Sequence, residues 1–368
     1  MKSNRKVNIE YVRNEINKDK ILYYFVSFTC IVTFLIYFIY QDKIVYNYQF
    51  IDYIHMVINC FKAIFIAWSV FFYFSMALKK KDKLFITYFK SMLKIVSDRS
   101  KVAVFIIRLM LLNVSIANYT YLKQIIPDIN PFKYDIVFYN WDKFIHGGLV
   151  PWEVLHGIFS SSYWNFFFNL SYNIWFILVW GSLLYFMWYC KAAYIRQVYL
   201  LSFFMTWFFI GGILAIIMSA AGPCFLHLLY IDDLRYLPLI DRLHEQVGSL
   251  WLLRIYGGET SQLQSYLWDA YSNRDSSLGA GISAMPSMHV SSSTLLALGA
   301  YQISKKAGVV LWSFALVIMI SSVYLGWHYA VDGYLAFFIT ILVWKFSQYI
   351  VSKSIKIKQR VNVIYEKT

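Results

Sequence analysis

The sequence predicts an all-α polytopic integral membrane protein with about eight transmembrane helices. Hydrophobic residues make up 59% of its 368 residues and aromatic residues 20%, which is too apolar for one soluble core. The apolar residues fall into runs of roughly 20, the length at which a helix crosses a bilayer. Lysine and arginine gather between these runs, as they do in the connections of membrane proteins.

Eight runs are long and apolar enough to be expected as spans. The first, 21–40, follows basic residues but precedes no small-residue cleavage site, so we expect a retained helix and not a signal peptide. The aromatic stretch 158–170 is too short to cross, and we expect it to lie on the membrane surface as an amphipathic segment. The other expected spans are 54–78, 102–122, 171–190, 198–220, 287–303, 308–327 and 330–350.

The basic residues predict the orientation in the membrane. With a cytoplasmic N-terminus, the cytoplasmic connections carry 23 lysines and arginines, whereas the longer outer connections carry 8. The positive-inside rule therefore places both termini in the cytoplasm. This distribution also accounts for the net charge of +14 without nucleic acid as a partner, because the basic run 79–101 is suited to anionic lipid.

The stretch AMPSMHVSSS at 284–293 opens one apolar run with a candidate anion site. Pro286 suits the first turn of a helix because it has no amide hydrogen to leave unpaired there. The first amides of that helix, the Ser287 hydroxyl and the positive end of the helix dipole would together attract a phosphate group. His289 falls within the same first turn.

A second histidine returns to the same membrane depth. From His289 the chain is expected to cross inward, turn at 304–308 and cross outward to His328. Asp332 follows four residues later, on the same face of a helix. A carboxylate there can accept the Nδ1 proton of His328 and leave Nε2 as a nucleophile. Ionisable residues within membrane spans favour such a functional interpretation.

PSMH at 286–289 and YLGWHYAVD at 324–332 resemble the type 2 phosphatidic acid phosphatase superfamily, whose members are membrane enzymes acting on lipid phosphates and diphosphates. The resemblance covers about 210–345, and the six-helix core of that family would correspond to the last six spans. Four further stretches resemble its inositol phosphorylceramide synthase-like branch: WDKFIH at 141–146, PWEVLH at 151–156, SAAGPC at 219–224 and HYAVDGYLAFFIT from 328.

The resemblance implies a role for each residue of the motifs. His328 would attack phosphorus to give a phosphohistidine, Asp332 would orient it, and His289 would protonate the leaving oxygen. Ser287 and nearby amides would hold the phosphoryl oxygens, and the reaction would need no metal or other cofactor. The substrate would be a lipid phosphate, an isoprenoid diphosphate or a phospholipid headgroup, and either water or a hydroxyl acceptor would complete the reaction.

Two departures concern positive charge at the site. Ser322 stands six residues before His328, where the best-known pattern of the family has an arginine, and the lysine and Arg-Pro motif that comes first in the family is not recognised. Other cations would have to hold the phosphate. The phosphate-binding candidates are Arg235, Arg254 and Arg274 in the outer connection, with Lys143 as a further one.

The predicted domains follow from these assignments. We expect an N-terminal membrane region with two helices and a basic cytoplasmic loop over 1–101, a six-helix catalytic membrane domain over 102–350 and a basic cytoplasmic tail over 351–368. The stretch 251–272 could roof the site or only lie at the interface. The expected location is a bacterial inner membrane with the site on its outer face. The alternative function, motivated by the missing arginines, is a non-catalytic lipid-binding or transport protein that keeps the fold.

Overall fold

The computed structural model describes residues 7–79, 83–256, 258–276 and 278–365, and this part of the chain is helical without strands. The predicted all-α fold is therefore confirmed. The first ten helices are α1 Ile9–Lys18, α2 Lys20–Tyr40, α3 Phe50–Leu78, α4 Leu84–Ser97, α5 Arg99–Gln124, α6 Ile126–Ile129, α7 Asp135–Ile145, α8 Pro151–Ile158, α9 Ser162–Leu184 and α10 Ala193–Met205. The others are α11 Leu226–Leu229, α12 Leu237–Ser249, α13 Trp251–Tyr256, α14 Gly258–Ser272, α15 Met288–Ile303, α16 Lys305–Tyr324 and α17 Ala330–Tyr365.

Seven helical segments of the described chain are long and apolar enough to cross a membrane. Two of them change geometry on the way: α9 continues as a π-helix to Tyr189, and α10 continues through a π-helical stretch to Ile217. The seven are Lys20–Tyr40, Phe50–Leu78, Arg99–Gln124, Ser162–Tyr189, Ala193–Ile217, Lys305–Tyr324 and Ala330–Ile355.

The eighth expected span, 287–303, is helix α15, which has only 16 residues. It forms a hairpin with α16. Ser304 is the single residue between the two helices, and its hydroxyl caps α16 by accepting the amide of Ala307. Four hydroxyl side chains of α15 are buried, from Ser291 to Thr294. Because α10, α16 and α17 pack against it, this short helix is buried within the bundle from Val290 to Ala297.

The expectation of a surface segment at 158–170 was wrong. Ser161 caps a helix by accepting the amide of Tyr163, and that helix, α9, runs on without a break into the span. Asn165, Phe168 and Asn169 are buried on it. The aromatic stretch is therefore the first part of a longer transmembrane helix, and its polar side chains face the protein interior.

A buried cluster of charges joins the N-terminal helices to the rest of the bundle. Arg108 of α5 donates to Glu15 and Asp19 at 2.8 and 2.7 Å. Arg196 of α10 donates to the same two carboxylates, at 3.1 Å each. All four side chains are buried, and two positive charges balance two negative ones. Glu15 lies in α1, and Asp19 is the single residue between α1 and α2. The cluster therefore ties both helices to α5 and α10.

Replacing Arg108 by alanine should strongly destabilise the protein. The substitution leaves two buried carboxylates with one guanidinium, and breaking a buried charge pair costs about 3–5 kcal/mol. The matched control is Lys101→Ala, which removes the exposed ion pair with Asp98 and should cost about 1 kcal/mol or less. Denaturant unfolding of both variants in detergent measures the difference. Equal losses would show that the cluster does not join these helices.

Candidate active site around the histidine pair

The structure brings the two predicted histidines together. His289 lies in the first turn of α15, and His328 lies in the five-residue connection between α16 and α17. His328 Nε2 is 3.4 Å from His289 Nδ1. His328 is buried, whereas His289 is only partly buried. A reacting group can therefore approach the pair from the side of His289.

The other nitrogen of His328 has two acceptors. His328 Nδ1 lies 2.8 Å from the carbonyl oxygen of Ala284 and 3.3 Å from Asp332 Oδ2. Both partners accept hydrogen bonds, so they place the ring proton on Nδ1 and leave the Nε2 lone pair directed towards His289. Burial lowers the pKa of His328 to about 4 against the opposing effect of the Ala284 carbonyl. The ring is thus neutral near pH 7, the state a nucleophile requires.

Asp142 of α7 holds the start of the helix that follows His328. Its two carboxylate oxygens accept the amides of Ala330 and Val331, each at 2.9 Å. These amides belong to the first turn of α17 and have no acceptor within their own helix. Asp142 therefore acts as a helix cap contributed by another helix. Burial raises its pKa, and the two amide donors oppose that rise.

Asp135, two turns earlier on α7, holds the neighbouring loop. Its carboxylate accepts the amides of Ala221 and Gly222 at 3.0 and 2.8 Å and the hydroxyl of Tyr329 at 3.0 Å. Tyr329 is the residue after His328. The two aspartates of α7 thus hold the start of α17, the side chain of Tyr329 and the backbone of the neighbouring loop.

The loop at 219–224 links the two histidine motifs. The backbone amide of Ala284 donates to the carbonyl of Ala220 at 2.9 Å, and the backbone amide of Cys224 donates to the carbonyl of Gly326 at 2.9 Å. Gly222 has φ +108°, and a Cβ there would lie 2.8 Å from the Trp327 carbonyl oxygen. Only glycine allows this close approach, which explains why the loop needs it.

Comparison with known protein families identifies the chain. A family model described as PAP2 superfamily matches residues 138–346, more than half of the sequence. The chain belongs to the PAP2 superfamily. Members are enzymes of the phosphatase or phosphotransferase type, and the match does not resolve the inositol phosphorylceramide synthase-like branch. Comparisons with curated proteins and with solved structures gave no significant match.

In this PAP2 protein, Ser287 lies at the point where the two motifs meet. Its hydroxyl oxygen caps α15 by accepting the amide of Val290 at 3.4 Å. Its own amide donates to the Asp332 carbonyl at 3.2 Å and is therefore engaged. The hydroxyl proton is not used by the cap, so it can be donated to an anion.

The described contacts of the predicted arginines are with other residues of the outer connections and of α7. Arg235 pairs with Asp233 at 3.4 Å and lies over the ring of Tyr139. The side chain of Arg274 is 61% exposed and lies 4.0 Å from Asp128. The side chain of Arg254 lies outside the described residues.

Lys123 is the cation that the sequence interpretation missed. It occupies the last turn of α5, and its positive charge adds to burial in lowering the pKa of both His289 and His328. The backbone of Lys123 packs directly against Gly281, where a Cβ would be 3.0 Å from the Lys123 carbonyl carbon. A signal was present in the sequence: a lysine directly after a span on the expected outer side runs against the positive-inside tendency.

Replacing Asp142 by asparagine should loosen the start of α17. The amide side chain can accept one backbone hydrogen bond, but its NH2 group then faces a second donor, and a buried donor without a partner costs about 1–3 kcal/mol. Hydrogen exchange should show faster exchange at 329–332, and the thermal unfolding midpoint should fall. The control is Asp241→Asn in α12, where the aspartate is exposed. Unchanged exchange at 329–332 in the Asp142 variant would rule out the capping role.

Proposed function

We propose that the protein is a lipid phosphatase or phosphotransferase that works through a phosphohistidine on His328. The observation that carries this proposal is the arrangement of its ring. Nδ1 faces Ala284 and Asp332, and Nε2 faces a second histidine 3.4 Å away. Asp332, His328 and His289 therefore contact one another in sequence, as an orienting carboxylate, a nucleophile and a proton donor.

In the first step, His328 Nε2 attacks phosphorus and the bond from phosphorus to the leaving oxygen breaks. Burial lowers the pKa of His289 in the free protein, and the negative charge of a bound phosphoryl group opposes this and favours the protonated ring. His289 then gives its proton to that oxygen, so the leaving group departs as an alcohol or a phosphate. His328 becomes positively charged as the new N–P bond forms. Asp332 and the Ala284 carbonyl stabilise this charge through Nδ1–H.

In the second step, neutral His289 takes a proton from an incoming hydroxyl group. The oxygen of that group attacks phosphorus, the N–P bond breaks and His328 returns to its starting state. Water as the incoming group gives hydrolysis, and an alcohol gives transfer. Both steps of this proposed reaction use only protein groups.

The site would hold the phosphoryl group with a small set of donors. Lys123 supplies positive charge near both histidines, and the Ser287 hydroxyl supplies a hydrogen bond. A lipid is the proposed substrate because His328 lies between the ends of two apolar spans, Lys305–Tyr324 and Ala330–Ile355, where a lipid headgroup would meet the histidine pair. The charge distribution of the connections supports a site on the extracytoplasmic face.

Turnover should be independent of added metal and should require His328. We expect purified protein with chelator to release phosphate, or to transfer a headgroup, from one of four classes: phosphatidic acid, phosphatidylglycerol phosphate, an undecaprenyl diphosphate or a headgroup-bearing phospholipid offered with a hydroxyl acceptor. His328→Ala should lower the rate by at least about 10³-fold, as removal of a catalytic nucleophile does. His55→Ala, at an exposed position of α3, is the control and should remain active. No turnover on the whole panel, with lipid binding intact, would favour the lipid-binding or transport alternative.

A further inference from the structure

Two hydrogen-bond donors beside His289 are buried without a well-formed hydrogen bond to any described residue. They are the hydroxyl of Tyr172 and the indole nitrogen Nε1 of Trp175. Tyr172 is 7% exposed and Trp175 is 4% exposed. Burying such a group without a hydrogen bond is unfavourable, and an orphaned donor in a functional site points to an acceptor that arrives from outside.

Helix α9 places both donors at the proposed acid. Residues 172 and 175 are three apart and share one face of the helix. The centre of the His289 ring lies 4.4 Å from that of Tyr172 and 4.6 Å from that of Trp175. The two rings therefore pack against His289, the partly exposed member of the pair, next to which a phosphoryl group bound at His328 would lie.

The hydroxyl of Tyr172 also lies in the region left by the missing arginine. It makes a loose hydrogen-bonding contact with the Ser322 hydroxyl and lies within electrostatic range of Asp332. Ser322 stands at the family's arginine position, and its own hydroxyl donates to the Met319 carbonyl at 2.7 Å. Serine is neutral and its proton is already engaged, so the phenol is a donor beside the position where the family has an arginine.

We propose that Tyr172 and Trp175 donate hydrogen bonds to the non-bridging oxygens of the phosphoryl group bound at His328. The ligand chemistry is a phosphate ester anion, and the inference rests on the proposed function of the same site. Neutral donors bind an anion strongly in a site that excludes water, because such hydrogen bonds are charge-assisted and need no reorganisation during the reaction. Together with Lys123, they would bind the phosphoryl oxygens that arginines bind elsewhere in the superfamily.

Binding of orthovanadate, which imitates the phosphoryl group in transfer, tests this without turnover. The full-length protein in lipid nanodiscs is titrated with vanadate while its thermal unfolding midpoint is followed. Tyr172→Phe and Trp175→Phe keep an aromatic ring against His289 and remove only the donor. Each should weaken vanadate binding about 10- to 100-fold, the value of a hydrogen bond to a charged group.

Matched controls separate this role from a packing role. Tyr199 is also a buried tyrosine, but its hydroxyl is paired with Ser182 at 2.6 Å. Tyr199→Phe should lower the midpoint without ligand and keep the vanadate response. Tyr172→Phe should lose the vanadate response and lower the midpoint without ligand less than Tyr199→Phe does, because it removes only a loose contact with Ser322 in the unliganded protein. Trp180→Phe, at another buried tryptophan of α9, controls for the smaller ring at position 175.

The outcomes also separate this inference from the proposed function. Wild-type binding of vanadate in both donor variants would overturn the inference, as would a wild-type protein that binds no vanadate. Turnover that needs His328 but is unchanged in Tyr172→Phe would overturn the inference and leave the proposed function intact. Vanadate binding that needs Tyr172, in a protein without turnover on any substrate, would support the anion site and contradict the proposed catalysis.

Discussion

Two buried aspartates on α7 hold the backbone that carries the candidate site. Asp142 accepts the first amides of α17, and Asp135 accepts two amides of the loop at 221–222 together with the Tyr329 hydroxyl. Their burial is unfavourable for a charge, and backbone donors offset it. These contacts determine the position of His328 and of Asp332 on the first turn of α17. They also determine the position of the loop that contacts Ala284.

This scaffold explains how a hydrophobic bundle can contain a polar site. The short helix α15 packs against longer ones, so His289 at its start lies among protein side chains and is only partly exposed. The rings of Tyr172 and Trp175 exclude water on one side of His289, which strengthens the electrostatic interactions available to a bound anion. The charge cluster of Glu15, Asp19, Arg108 and Arg196 lies elsewhere on α5, since Arg108 is about 22 Å from Lys123 along the helix.

The sequence predicted those features that depend on local spacing. Apolar runs of near-constant length indicated the spans, and a hairpin between His289 and His328 required that both reach the same depth. Contacts between distant segments could not be obtained in this way. The caps from Asp135 and Asp142 and the pairing of Arg108 with Glu15 join residues about 90 or more positions apart. Arg235 and Arg274 were chosen because they are near in sequence, whereas Lys123, on an earlier span, is the cation near in space. The error at 158–170 has a similar origin, because aromatic residues mark both a surface helix and the end of a span.

The central claim is that His328 carries the phosphoryl group during the reaction. Single-turnover incubation with a labelled lipid phosphate, stopped in alkali where phosphohistidine survives, followed by peptide mass spectrometry, measures this directly. The account predicts phosphate on His328, its disappearance when an acceptor is allowed to react, and none in a His328→Ala variant. Phosphate on another side chain, or product formed with an unlabelled His328, would contradict it.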